Sequence, residues 1–127
     1  ASACNRQCPG RTRAFGHIQD EESLVHKLVN VWKVAIPLHP EFGTQPNVYY
    51  VPPMSALAYD DDNQLTDEMR MPDAVLESYF GKDVHRALAV IIAERENKKQ
   101  GGESELMDLL ISRKWHDRFA QFTNDPV

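Results

Sequence analysis

Both cysteines of the chain stand in one short run, Ala3-Cys4-Asn5-Arg6-Gln7-Cys8-Pro9-Gly10-Arg11. They are one helical turn apart, and proline directly follows the second. Thiolate sulfur is both a metal ligand and a nucleophile, so the chemistry of this chain is sought here first. Residues four apart on a helical turn face the same side, and Pro9 prevents the turn from continuing. Cys-x3-Cys-Pro is also the spacing that closes a bacterial ferredoxin-type ligand run: third cysteine, three residues, fourth cysteine, proline. In two-cluster ferredoxins the fourth cysteine ligates the other cluster, so Cys4 and Cys8 would serve two different iron–sulfur clusters. A cubane takes four thiolates, and the chain carries two cysteines. The run therefore reads as the end of a motif that starts ahead of Ala1.

Three other readings of the pair stay open on spacing alone. Cysteine packs as a small hydrophobe, so two structural thiols are one of them. A disulfide across one helical turn is a second, though the nearly parallel Cβ directions suit it poorly. Zinc is a third, with His17 and His26 as possible further ligands, although their spacing fits no common finger pattern.

Elsewhere the polar residues carry less. His39 lies in a proline-dense loop with no nucleophile or carboxylate at a convincing spacing, and is expected to make a structural hydrogen bond. His26 is expected at the surface, and His85 and His116 sit on helices without a partner pattern. Asp60-Asp61-Asp62 lacks the spaced oxygens and central glycine of a calcium loop, so it is read as solvated. Trp32 is expected to anchor a core or an interface.

The elements that must position the cysteines are short. Arg11 to Ile18 alternates polar with small or apolar residues, which predicts a strand with Gly16 at a bulge or a close backbone approach. Arg6, Arg11 and Arg13 make this opening locally basic, and positive charge near a cluster favours its reduced form. Asp20-Glu21-Glu22 suits a helix start, and Leu24, Leu28, Val31, Trp32 and Ala35 predict an amphipathic helix over 21–35, stopped by Pro37. Residues 37–46 are too rich in proline for regular structure, and Asn47 to Val51 reads as a strand. Met54 to Met71 reads as an acidic connection. Helices follow from Pro72 to Gly81, with Val75, Leu76, Tyr79 and Phe80 as the apolar face, and from Asp83 to about Gln100, with Val84, Leu88, Ile91 and Ile92 inward. Gly101-Gly102 breaks that helix, and Ser104 caps a last one carrying Leu106, Leu109, Leu110, Trp115, Phe119 and Phe122. The fold class is α+β: short strands at the end of a cluster-binding repeat, then a mainly helical tail with long irregular connections. Residues 1–20 form the first part and 21–127 the second.

At 127 residues, the chain fits one domain with a modest core. Eight prolines agree with the irregular connections. A net charge of −5 argues against nucleic acid or an anionic membrane surface as partner. No apolar run approaches a membrane span, so no direct membrane insertion is expected.

Val31-Trp32-Lys33-Val34-Ala35-Ile36-Pro37-Leu38-His39-Pro40-Glu41-Phe42, followed by Pro46-Asn47-Val48-Tyr49-Tyr50-Val51-Pro52-Pro53, resembles the iron–sulfur (beta) subunits of dimethyl sulfoxide reductase-family molybdoenzymes. The group with selenate, chlorate and perchlorate reductases, dimethylsulfide dehydrogenase and ethylbenzene dehydrogenase is the nearer likeness. Respiratory nitrate reductase beta subunits are similar too. The resemblance spans the chain and is strongest from Cys4 to Pro53. It implies that Cys4 and Cys8 match the third and fourth cysteines of the last cysteine group in such a subunit. Arg11, Arg13 and Gly16 then fall in the strand that follows. It departs at Ala56, where a proline is expected after Met54-Ser55.

The resemblance implies 4Fe–4S clusters with two ligands from this chain, and a ferredoxin-like setting for Cys4 and Cys8. It implies a molybdenum-containing catalytic alpha subunit as partner, with a haem b gamma subunit or another carrier beyond it. The molybdenum cofactor and the haem would belong to those partners. A periplasmic location is implied by the nearer group, and the cytoplasmic side of the membrane by the nitrate reductases. Two functional classes follow: the carboxyl-terminal part of an electron-transfer subunit, or a protein–protein interaction module whose cysteines are incidental. An enzyme acting alone is disfavoured, because no nucleophile–base pair, phosphate-binding glycine loop or complete metal set is legible.

Overall fold

A computed structural model describes residues 3–8, 12–53 and 57–110. The described elements begin with α1 (Ala3–Arg6) and α2 (Leu24–His26), the latter running into a π-helical turn at Lys27–Val31. A 3-10 turn at Pro40–Phe42 follows, then β1 (Leu57–Tyr59), β2 (Leu65–Met69), α3 (Asp73–Phe80), α4 (Asp83–Lys99) and α5 (Glu105–Leu110). The chain divides into two units, one made of Ala1–Trp32 with Ile91–Val127, the other of Lys33–Val90.

The unit of Lys33–Val90 holds the larger core. Pro72 stands just before α3, and its carbonyl accepts from the amides of Val75 and Leu76. Leu76 and Phe80 are one turn apart, so α3 buries both. Gly81 then ends the helix with φ 77° and ψ −172°, its amide donating to Glu77 O at 2.8 Å. That backbone region is open essentially to glycine alone. Val84, Ala87 and Leu88 continue the apolar stripe on α4 and meet Leu76, Phe80 and Ile36 in one cluster, edged by Leu38, Met69 and Met71. Val75 and Tyr79, expected on the buried face, are instead 39% and 49% exposed. They sit to either side of the narrower stripe that Leu76 and Phe80 define. Ile92 is likewise exposed, and Ala87 takes the inward place beside Leu88.

Two strand assignments change. Asn47–Val51 does not form a strand; Ile36 and Tyr50 make a single antiparallel bridge, with N–O distances of 2.9 and 2.8 Å. Prolines at 46, 52 and 53 leave no room for the ladder to extend. Conversely, the acidic connection contains a hairpin, in which β1 and β2 pair antiparallel with Leu57 opposite Met69 and Tyr59 opposite Leu65. Asp60-Asp61-Asp62 is its turn. Asp60 Oδ1 accepts from the amides of Asp62 and Gln64, at 3.0 and 2.8 Å, and Asn63 takes a left-handed φ of 60°. The aspartate run is thus exposed, as expected, but it shapes the backbone through its first side chain.

In the other unit, the helix expected over 21–35 begins later and stops sooner. Asp20 and Ser23 organise the entry: Asp20 Oδ1 accepts from Glu22 N, and Ser23 Oγ caps α2 by accepting from His26 N at 3.0 Å. The Ser23 hydroxyl also donates to His17 O at 2.7 Å. A Cβ on Gly16 would come within 3.2 Å of Ser23 Cβ, which accounts for a glycine there. The π-helical turn closes with Trp32 N donating to Lys27 O at 2.8 Å. Lys33 then adopts φ 55°, so Val34, Ala35 and Ile36 leave the helix as extended, buried chain. Thr12 to Ile18, expected as part of a strand, pairs with no strand among the described residues.

α5 starts where Ser104 Oγ accepts from Met107 N at 3.2 Å and donates to Glu94 Oε2. Gly101, at φ 87°, turns the chain between α4 and α5, and Asn97 Nδ2 donates to Glu103 O at 2.8 Å across that turn. Leu106 and Met107 are buried. Trp115, Phe119 and Phe122 lie outside the described residues, as do Pro9, Gly10, Arg11 and Ala56.

Gly81 gives a direct test of this geometry. A Cβ there would meet Pro40 Cγ at 3.1 Å, whereas one on Gly43, at φ 66°, would meet nothing within 4 Å. Gly43→Ala should therefore cost only the left-handed backbone penalty of about 1 kcal/mol. Gly81→Ala should cost about 2–3 kcal/mol, since its backbone region is less accessible still. Urea unfolding of the two variants side by side measures the difference.

Candidate metal centre

Cys4 lies within α1, a single turn of helix, and Gln7 N extends that turn by donating to Ala3 O at 3.0 Å. Cys8 follows just past its end, so the two thiols stand on one short turn as the spacing predicts. Cys4 is exposed and Cys8 half-buried. The Cys8 Sγ is 3.5 Å from the Thr12 hydroxyl, a contact with no counterpart in the sequence reading. Arg13 is exposed a residue further on.

Cysteine thiolates are the ligands that iron–sulfur clusters take, and an accessible pair on one turn suits that donor set. The pair supplies two of the four ligands a cubane takes. No group of three or more cysteine, histidine or carboxylate side chains is placed to hold a metal ion among the described residues. The two histidines weighed as zinc partners have other surroundings. His17 is exposed. His26 Nδ1 lies 2.7 Å from Ile18 O, an acceptor, so that nitrogen carries the proton and donates. His26 is consequently half-buried rather than superficial, and it ties residue 18 to the first turn of α2. The signal for this was the apolar spacing of its neighbours on the helix, which places it near the inner face.

His39 fulfils its expected structural role. Its Nδ1 lies 2.9 Å from Glu41 Oε1, and its amide donates to Tyr79 O at 2.8 Å. The ring stacks on Phe42 and meets Tyr79 edge-on. The hydrogen bond with His39 holds the Glu41 carboxyl below its ordinary range. His85, given no chemistry by its sequence context, pairs with Glu77 at 2.8 Å. Trp32 is half-buried and, with exposed Val31, walls an open surface cavity of about 440 Å³. Glu21, Glu22, Glu105, Lys27 and His26 complete the lining, so that cavity contains neither cysteine.

No protein-family model matches the chain. Individual proteins do. The beta subunit of dimethylsulfide dehydrogenase from Rhodovulum sulfidophilum is 48% identical over 118 residues, covering 93% of this chain and 36% of that protein. The beta subunit of perchlorate reductase from Dechloromonas aromatica is 48% identical over 118 residues, covering 92% of this chain and 35% of its own. A respiratory nitrate reductase beta subunit from Haloferax mediterranei is 47% identical over 110 residues, covering 87% and 31%. All three are beta subunits of oxidoreductases. The chain belongs to that family, the beta subunits of dimethyl sulfoxide reductase-family enzymes, as its residues from Val31 to Pro53 suggested. It spans about a third of the length of the relatives it matches.

Proposed function

We propose that this chain is part of an electron-transfer subunit, in which Cys4 and Cys8 ligate 4Fe–4S clusters completed by thiolates from elsewhere in the subunit. When bound, such clusters supply one-electron carriers whose potentials respond to charge and hydrogen bonding around the sulfurs. The subunit would pass electrons between a molybdenum-containing alpha subunit and a haem subunit or another carrier. One observation carries the reading: a chain 48% identical to oxidoreductase beta subunits presents its two cysteines on one turn. The two units of Lys33–Val90 and Ala1–Trp32 with Ile91–Val127 supply packed structure around that turn. No described helix is long and apolar enough to cross a membrane, so the reading assigns the chain no spanning role.

The test uses the full-length subunit within its assembled complex, with Cys4→Ser and Cys8→Ser combined. Iron content should fall and electron flow to the acceptor should drop by at least tenfold, while the subunits still co-purify. Unchanged iron and unchanged electron flow would overturn the ligand assignment and favour an interaction module with incidental cysteines.

A further inference from the structure

Cys8 Sγ and Thr12 Oγ1 lie 3.5 Å apart, within reach of a hydrogen bond to sulfur, and either atom could be the donor when the thiol is protonated. A thiolate has no proton to give. Once Cys8 acts as a ligand, the bond can run only one way, from the threonine hydroxyl to the sulfur. A hydrogen bond donated to a ligating thiolate draws charge from it and so favours the more negative, reduced state of the metal group it serves. Cys8 is half-buried, and partial removal from water strengthens the effect of a fixed dipole.

We propose that Thr12 tunes the iron–sulfur centre held through Cys8, its hydroxyl donating to the Cys8 thiolate and raising that centre's reduction potential. This rests on the ligand reading of Cys8 given above. Thr12 is a positioning and tuning residue, since it acts through the sulfur. Cys4, on the preceding turn, is a separate ligand, so the shift belongs to the centre served by Cys8.

The experiment is an anaerobic redox titration of the assembled complex, followed by electron paramagnetic resonance, with dithionite as reductant and standard mediators. Thr12→Val keeps the shape and removes the donor; Thr12→Ser restores it. In the valine variant, the ratio of reduced to oxidised centre at a fixed potential should fall by about three- to tenfold. The tenfold limit corresponds to about 59 mV for a one-electron couple. The serine variant should titrate as the unsubstituted protein does, and both should retain full iron content. An unmoved midpoint in Thr12→Val, the same displacement in Thr12→Ser, or lost iron in Thr12→Val would each overturn the tuning role. Cys8→Ser, titrated alongside, separates the two assignments. If Cys8→Ser changes no centre, the ligand reading itself fails. If Cys8→Ser changes one that Thr12→Val leaves alone, only the role of Thr12 fails.

Discussion

Cys4→Ser and Cys8→Ser, introduced singly into the full-length subunit, should each alter an iron–sulfur centre, and not the same one. The reason lies in how a Cys-x3-Cys-Pro run is used. The third cysteine of such a run stays with its own group of ligands, and the fourth joins the cluster built mainly by a distant group. Two thiols on one turn, Cys4 within α1 and Cys8 just beyond it, can then serve as the junction between neighbouring centres. Serine keeps the size of the side chain but exchanges soft sulfur for hard oxygen, so one transition should shift strongly or vanish in each variant. A redox titration followed by electron paramagnetic resonance identifies which. Loss of the same transition in both variants would refute the two-cluster assignment and leave electron transfer standing.

The second large effect concerns stability. Leu76 is fully buried, in a cluster with Ile36, Phe80, Val84, Ala87 and Leu88. Leu76→Ala removes three methyl or methylene-sized groups from a site enclosed by two helices and a bridge-forming residue, and the surroundings can collapse only in part. The expected loss is about 3–4 kcal/mol. Val75→Ala, one position earlier, removes groups that are already partly in water, and should stay within about 0.5 kcal/mol. Both are read from urea unfolding, and a similar midpoint for the two variants would contradict the packing described for α3.

The contrast between Val75 and Leu76 also shows how far the sequence could be read. The boundaries of α3 and α4 were legible because Pro72 and Gly81 act on the backbone itself, whatever surrounds them. Which apolar residues face inward was less so: Val75 and Tyr79 fit the helical pattern as well as Leu76 and Phe80, and only the position of the packing partners decides between them. The hairpin was hidden for a different reason. Asp60, Asp61 and Asp62 look like a solvated loop by charge, and they are exposed; the fold depends on one carboxylate accepting two amides, a contact that composition does not display. The helix expected to reach Ala35 follows a true apolar spacing, yet Lys33 turns left-handed and hands the last three of those residues to extended chain. At the cysteines the spacing carried nearly everything. Thr12 did not stand out, because a threonine four residues after a cysteine has no signature until the turn between them is built.

The π-helical turn at Lys27–Val31 bears on how the chain accommodates changes in its own length. Trp32 N reaches back five residues to Lys27 O, so this turn encloses one residue more than an α-turn does. Removing a single residue here would let ordinary bonding resume, with the surplus absorbed where it arose. The same deletion within α4 would rotate the remainder of the helix by about 100°, carrying Val84, Ala87 and Leu88 out of line with Ile91. Insertions and deletions among related chains thus have a natural place in the first unit, and a stretch of α4 where each residue's count is held fixed by the core.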